Sequence, residues 1–304
     1  MSRQLQRSRQ RWNDLPSFSR VVGARAPGSH HQRTDAISSS SAHPFRYAER
    51  APTPAIAPWV LSLWSFQSDA TLGPTAQYTV WPDGCTSVSL LRRPESPEAI
   101  LCVGPRKSAM QPPVTAGQRL WGFRFWPDAL QAATGIEASA LRDHLGFAPP
   151  AIIERFNGLL SDLPESDDPE VMFDALDGWL VRQLAGAETP DARIREAVRL
   201  IVAAKGVIPM TEVARGAGVG LRHLQRHFPS ATGLTLREYA RIRRLREALA
   251  QHIDARPIGW SRIAADTGFV DHAHLTREFR ALTGLSPTDA SQQMARTAHD
   301  DVVP

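Results

Sequence analysis

The chain has 304 residues, 42% of them hydrophobic, with 35 lysines and arginines against 31 aspartates and glutamates. That length and composition suit a globular protein of two domains rather than one. Two cysteines, Cys85 and Cys102, supply neither a disulfide framework nor a zinc set. No apolar run approaches the length a bilayer requires and the N-terminus shows no apolar signal segment, so a cytoplasmic protein is expected.

Charge is unevenly spread. Residues 1–44 hold 7 basic against 2 acidic side chains, residues 45–191 hold 11 against 18, and residues 192–296 hold 17 against 9. An acidic middle is thus followed by a basic end, which is the electrostatic footprint of a polyanionic partner.

The first 44 residues scatter Arg, Gly and Pro around the run Ser38-Ser39-Ser40-Ser41, without apolar periodicity. A disordered leader is expected there, with a basic arm contacting nucleic acid as the other reading. From Phe45 short apolar stretches alternate with Pro, Gly and Asp breaks: 59–66, 77–81, 86–91, 100–103 and 120–126. Period-two alternation in Trp121-Gly122-Phe123-Arg124-Phe125 puts the three aromatics on one face and Arg124 on the other. Pro82-Asp83-Gly84 is a turn signal. Strands at this spacing predict a small barrel or sandwich.

Six tryptophans lie between Trp59 and Trp179. Trp81 and Trp121 are candidates to line an aromatic pocket for an effector, and core filling is the alternative. Arg124, if inward, is a candidate to bind an anionic effector or a member of a buried ion pair. Cys85 and Cys102 read as buried apolar cysteines or as a redox pair. There is no His between Phe45 and Asp128, no Gly-x-Ser-x-Gly elbow and no phosphate loop. Metal-assisted or nucleophilic catalysis therefore has no residues to work with, and a protein without enzymatic activity or cofactor is expected.

Residues 129–186 read as helical, with Leu141, Leu145, Phe147, Ile152, Phe156 and Leu159 in one amphipathic series. A second runs from Val171 to Leu184 through Phe173, Leu176, Trp179 and Leu180. These faces pair two subunits or cover the core of their own domain. Residues 185–190 form a short linker, and Asp191 caps the next helix, with Ile194, Val198 and Ile201 in one stripe.

Residues 209–287 write one pattern twice. Ala214 and Gly218 recur fifty positions later as Ala264 and Gly268, and Leu224, Phe228 and Gly233 recur fifty-one later as Leu275, Phe279 and Gly284. Each copy has the grammar of a helix-turn-helix: a short helix stopped at Gly, a tight turn, and a second helix with an apolar pair four residues apart. Arg222, Gln225 and Arg226 in the first copy, and His272, Thr276 and Arg277 in the second, must point away from that pair. Side chains of those types reach base edges and phosphates. Between the copies, Tyr239, Ile242, Leu245 and Leu249 share one face of a helix, with Arg244 beside it and read as structural, and Arg241, Arg243 and Arg246 expected outside.

Residues 192–297 resemble the DNA-binding domain of the AraC/XylS family of transcription regulators, through Gly268-Phe269, Arg244-Leu245 with Ala248, and Gly284-Leu285-Ser286-Pro287. The sequence departs from the family's usual pattern at Gly220, Leu236 and Ala290-Ser291. Residues 45 to about 145 resemble the cupin-like sensor domain found ahead of some such domains, through Trp81-Pro82-Asp83-Gly84, Gly104-Pro105 and Gly122-Phe123-Arg124-Phe125 with Pro127.

The resemblance implies a two-domain α+β protein; a disordered leader at 1–44 and a flexible tail at 298–304 are expected to flank it. A small cupin-like β-barrel with following helices would occupy 45–187, serving sensing and dimerisation. An all-α domain of two helix-turn-helix units joined by a long helix would occupy 192–297. It implies a sequence-specific transcription regulator with promoter DNA as partner, RNA polymerase as the partner of an activator, a small-molecule effector and a homodimer; the alternative is a constitutive DNA-binding or interaction protein with a ligand-free structural N-terminal domain, and no membrane partner is expected in either case.

Overall fold

The computed structural model describes residues 44–73, 78–254 and 259–298. The expected leader, save its last residue, and the expected tail beyond Ala298 lie outside the described residues.

Strands β1 (Phe45–Arg50), β2 (Val60–Ser68), β3 (Ser87–Arg93), β4 (Ser96–Val103), β5 (Arg119–Phe125) and β6 (Leu145–Phe147) form one sheet in the order β1-β2-β5-β3-β4-β6. Every neighbouring pair is antiparallel. The sheet has two ends, β1 and β6, and is not closed into the expected barrel.

Strand alternation gives the sheet two different faces. On one, Leu63 lies opposite Phe123, Phe123 opposite Val88, and Val88 opposite Cys102. This row is buried together with Trp121, Phe125, Leu90 and Ile100 under the helices that follow. Those helices are α1 (Leu130–Thr134), α2 (Pro150–Arg155) and α3 (Pro169–Gln183). Phe156 and Trp179 complete an aromatic cluster with Phe123, at ring-centroid distances of 5.3 and 6.4 Å. On the other face Ser89 and Trp64 flank Gly122, where a Cβ would come within 2.7 Å of the Trp64 ring. Only a residue without a side chain lets that indole lie flat on β5.

Two expected elements differ. Of the expected strand at 77–81, the described residues 78–81 contribute only an isolated bridge, Val80 with Met110. Leu145 and Phe147, read as helical, form edge strand β6 against β4 because Gly146 between them has φ +129°, a conformation no helix accepts. The long helix expected at 171–184 is present as α3, started by Asp168, whose side chain accepts from the Glu170 amide.

The remainder is helical: α4 (Ala192–Ala203), α5 (Met210–Gly216), α6 (Leu221–Thr232), α7 (Leu236–Asp254), α8 (Trp260–Asp266), α9 (His272–Thr283) and α10 (Pro287–Ala298). Two apolar cores divide it. Ile194, Val198 and Ile201 of α4 pack with Val213, Leu224, Phe228 and the first half of α7 (Tyr239, Ile242). Leu245 and Leu249 from the second half of α7 pack with Ile263, Phe269, Leu275, Phe279, Ala290 and Met294. One helix thus belongs to both repeats, which fixes them relative to each other. Ala290, where the family's usual residue is replaced, is wholly buried in the second core.

The sheet portion seats directly on this helical portion. Arg142 donates to both carboxylate oxygens of Glu238, at 2.7 and 3.1 Å, and to the Gly233 carbonyl at 3.1 Å. Arg195 pairs with buried Asp128 at 2.5 Å and donates to the Pro58 carbonyl at 2.8 Å. The Ala109 amide donates to the Leu282 carbonyl at 2.7 Å. At Gly84, φ +79°, a Cβ would sit 2.7 Å from the Tyr239 ring, so the Pro82-Asp83-Gly84 turn lies against α7.

Candidate nucleic-acid interface and ligand cavity

The two helix-turn-helix units are built alike. In the first, α5 is followed, after Ala217, by Gly218 with φ +69°, and α6 ends at Gly233 with φ +72°. In the second, α8 is followed by Gly268 with φ +72° and α9 ends at Gly284 with φ +76°. Those left-handed positions are why the repeated residue is glycine. Leu224 and Phe228 of α6, like Leu275 and Phe279 of α9, are fully buried.

With one stripe buried, the opposite face of each second helix is presented outward. Arg222, Gln225 and Arg226 on α6 are exposed, as are His272 and Arg277 on α9, while Thr276 is half-buried. Thr276 Oγ1 donates to the His272 carbonyl at 2.9 Å. Arg226 lies beside His227, 3.2 Å from Nη2 to the ring nitrogen Nε2, and His223 packs on His227 in a tilted arrangement at 4.3 Å between ring centroids. The two helices start differently. Asp271 accepts from the His274 amide at 2.6 Å, whereas Gly220 gives α6 no side-chain cap.

Helix α7 shows where sequence reading met its limit. Arg244 is structural as expected: it donates to the Gly268 carbonyl at 3.2 Å and stacks on Phe269 at 4.8 Å. Partial burial pulls its pKa below the ordinary guanidinium value. Arg246, expected outside, is 5% exposed. The Pro82-Asp83-Gly84 turn covers it, and its Nη1 donates to the Pro82 carbonyl at 3.4 Å.

Behind that turn, on the sheet face opposite the aromatic core, is a cavity of about 500 Å³. Trp64, Phe66, Leu91, Leu101 and Leu120 form much of its floor, and Trp81 and Met110 one wall. Arg246 of α7 and Met294 of α10 reach into it from the helical portion. Trp81 and Arg124 are therefore brought together at the cavity, but Trp121 is not. It points to the other face, is fully buried, and takes Arg92 over its ring at 5.6 Å. Its place in the core follows from the strand alternation that puts it beside Phe123.

Arg124 sits between two carboxylates, Glu49 at 3.1 Å and Asp83 at 3.0 Å, and its Nη2 donates to the Tyr47 hydroxyl at 3.4 Å. Burial works against its charge, but Tyr47, Glu49 and Asp83 outweigh that and raise its pKa well above the ordinary value. Cys85, also on the wall, is free, and burial followed by Asp83 pushes its thiol well up. Cys102 is free in the core on the opposite face, its thiol pushed up to about 12 by burial, so the two cysteines do not form a pair. Among the described residues no group of three His, Cys, Asp or Glu side chains could hold a metal ion, and no helix is long and apolar enough to cross a membrane.

The outward polar faces on a duplicated unit define a helix-turn-helix DNA-binding protein. Residues 213–293 match the family described as a helix-turn-helix domain, and residues 48–146 match a domain of unknown function (DUF6597). The C-terminal region of the chain thus carries a helix-turn-helix domain of the AraC type. Among solved structures it is similar to ToxT from Vibrio cholerae. An apo lysine-to-alanine variant is 12% identical with a TM-score of 0.42, covering 81% of this chain and 100% of that one. A P21 form is 10% identical with a TM-score of 0.40, covering 73% and 96%. ToxT bound to (E)-4-(8-methylnaphthalen-1-yl)but-3-enoic acid is 9% identical with a TM-score of 0.41, covering 82% and 98%. No curated protein matches the chain.

Proposed function

We propose that the protein is a sequence-specific promoter-binding regulator whose DNA affinity is set by an effector in the sheet cavity. The helical region 192–297 reads DNA, and the region 45–187 senses and pairs subunits. Arg222, Gln225 and Arg226 read one major-groove segment, and His272, Thr276 and Arg277 read the next. Arg is suited to bidentate contact with guanine and Gln to adenine, and those among the six that meet phosphate instead set register. One observation carries the reading: two second helices expose these polar faces while a single helix, α7, lies in both of their cores. A shared rigid helix keeps the two faces at a fixed separation, as successive groove segments about 34 Å apart demand.

Effector control is supported by the cavity being walled from both portions of the chain. Trp81 is the side chain that joins them, lining the cavity and packing on the second repeat's core. A ligand that alters this wall changes how the sheet portion holds α7, a coupling typically of about 1–3 kcal/mol. A homodimer would place two such readers on one promoter for RNA polymerase to meet. The test is selection from a random duplex library with the full chain, followed by base-resolved footprinting. Two protected major-groove segments about one helical turn apart are expected; a single protected segment would overturn the two-reader arrangement.

A further inference from the structure

The cavity wall is apolar over most of its lining but carries an uneven set of charges. Arg93, Arg106, Arg124 and Arg246 line it, against the single carboxylate of Asp83. Asp83 is committed, since it pairs with Arg124 at 3.0 Å while Glu49 takes the other side of the same guanidinium. Arg106 is occupied by the Ser108 carbonyl at 3.0 Å and by the Met110 sulfur. Arg93 and Arg246 remain: Arg93 is half-buried, with no partner for its Nε among the described residues, and Arg246 is the deeper of the two. It is 5% exposed; among the described residues its Nε has no hydrogen-bond partner, and the one hydrogen bond of the side chain is the long contact to the Pro82 carbonyl at 3.4 Å.

A buried guanidinium without a counter-charge is costly, because the protein interior does not replace the water it has lost. Burial accordingly lowers its pKa from the ordinary value, with Asp83 pulling the other way. Such a group either costs stability for nothing or completes itself with something that enters the cavity. Beside neutral polar side chains such as Thr79, Ser89 and Gln118, the lining is made largely by Trp64, Phe66, Leu91, Leu101, Leu120 and Met110. They suit an apolar body.

We propose that the cavity binds an organic monoanion with an apolar body, and that Arg246 of the linker helix receives its anionic group. This rests on the effector reading above and specifies it. The ligand then bridges the sheet, which holds its body, and the helix that joins the two DNA-reading units. Ligand charge, rather than ligand shape alone, is what reports to the DNA-binding region.

Three probes with one apolar body separate the possibilities: 4-phenylbutyrate, 4-phenylbutan-1-ol and 4-phenylbutylamine, titrated calorimetrically into the full chain. The acid is expected to bind at least about tenfold more tightly than the alcohol, as a charge-assisted bidentate bond allows. The amine is expected not to bind. In Arg246→Gln the acid falls to the alcohol's affinity while the alcohol is unchanged, which also reports that the variant is folded. If that variant does not fold, the three-probe comparison on the unaltered chain decides. Equal binding of acid and alcohol overturns the anion assignment and leaves an effector cavity standing. An acid preference that survives Arg246→Gln moves the anion to another arginine and overturns the role of Arg246. Binding by none of the three removes the effector reading itself.

Discussion

Removing Arg142 isolates one contact between the sheet portion and the linker helix. Its guanidinium meets Glu238 at 2.7 and 3.1 Å, with the two side chains 32% and 21% exposed. The Glu238 carboxyl is held down to about 2, first by the Arg142 hydrogen bond, against burial, and further by the backbone and hydroxyl of Thr235. Measured from an ordinary value of 4.5, that shift alone corresponds to about 3 kcal/mol. Solvent screening at a half-buried pair and the share belonging to Thr235 reduce the part due to Arg142, so Arg142→Ala is expected to cost about 1–2 kcal/mol. The assay is urea unfolding at pH 7, with Glu238→Gln and the double variant completing a cycle. A group whose folded pKa is depressed stabilises above its unfolded pKa and loses that contribution as pH falls through the folded one. The deficit of Arg142→Ala should therefore be constant above about pH 5 and shrink as pH drops from about 4.5 toward 2. A deficit below about 0.3 kcal/mol at pH 7, or one that does not change with acid, would refute the reasoning.

Other outcomes follow from the same geometry. Phe228→Ala and Phe279→Ala, each emptying a fully buried ring from its repeat's core, should each cost about 3–5 kcal/mol in chemical unfolding; a loss under about 1 kcal/mol would mean the core closes over the gap. Asp271→Ala should cost about 1 kcal/mol by removing the only side-chain cap of α9, while Gly220→Ser at the uncapped start of α6 should gain a few tenths, both read from thermal melts. Gly84→Ala should destabilise by about 1–3 kcal/mol, since φ +79° and the Tyr239 ring both oppose a Cβ, and a neutral result would show that the turn can lift off α7.

Much of the helical region was legible because its signals are local. A left-handed glycine, an apolar pair four residues apart and a repeated spacing need no knowledge of distant chain, and Gly218, Leu224 and Phe228 sit where those rules place them. Arg244 was readable for the same reason. Arg246 was not, although it is four residues after Ile242 and three before Leu249 and so borders the buried stripe. What buries it is the turn at Pro82, 164 residues away, which no periodicity reports. In the sheet, alternation separated Arg124 from Phe123 and Phe125 correctly, and the same rule also puts Trp121 with those aromatics, in the core and away from the cavity. Leu145 and Phe147 misled because their apolar spacing suits a helix, and Gly146 decides otherwise. Tyr47 and Glu49 lie on β1, a strand no apolar run announced, so the partners of Arg124 could not be foreseen.

The central claim, that the outward residues of α6 and α9 read base sequence, is tested most directly by competition binding. Unaltered protein, Arg226→Ala and Arg277→Ala are each titrated with a selected duplex and with a scrambled one at several salt concentrations. The unaltered protein should prefer the selected duplex by roughly a thousandfold or more, with affinity for both falling steeply with salt. Each variant should lose about 1–3 kcal/mol on the selected duplex and much less on the scrambled one. Equal affinity for the two duplexes at every salt concentration, in the unaltered protein, would contradict the account.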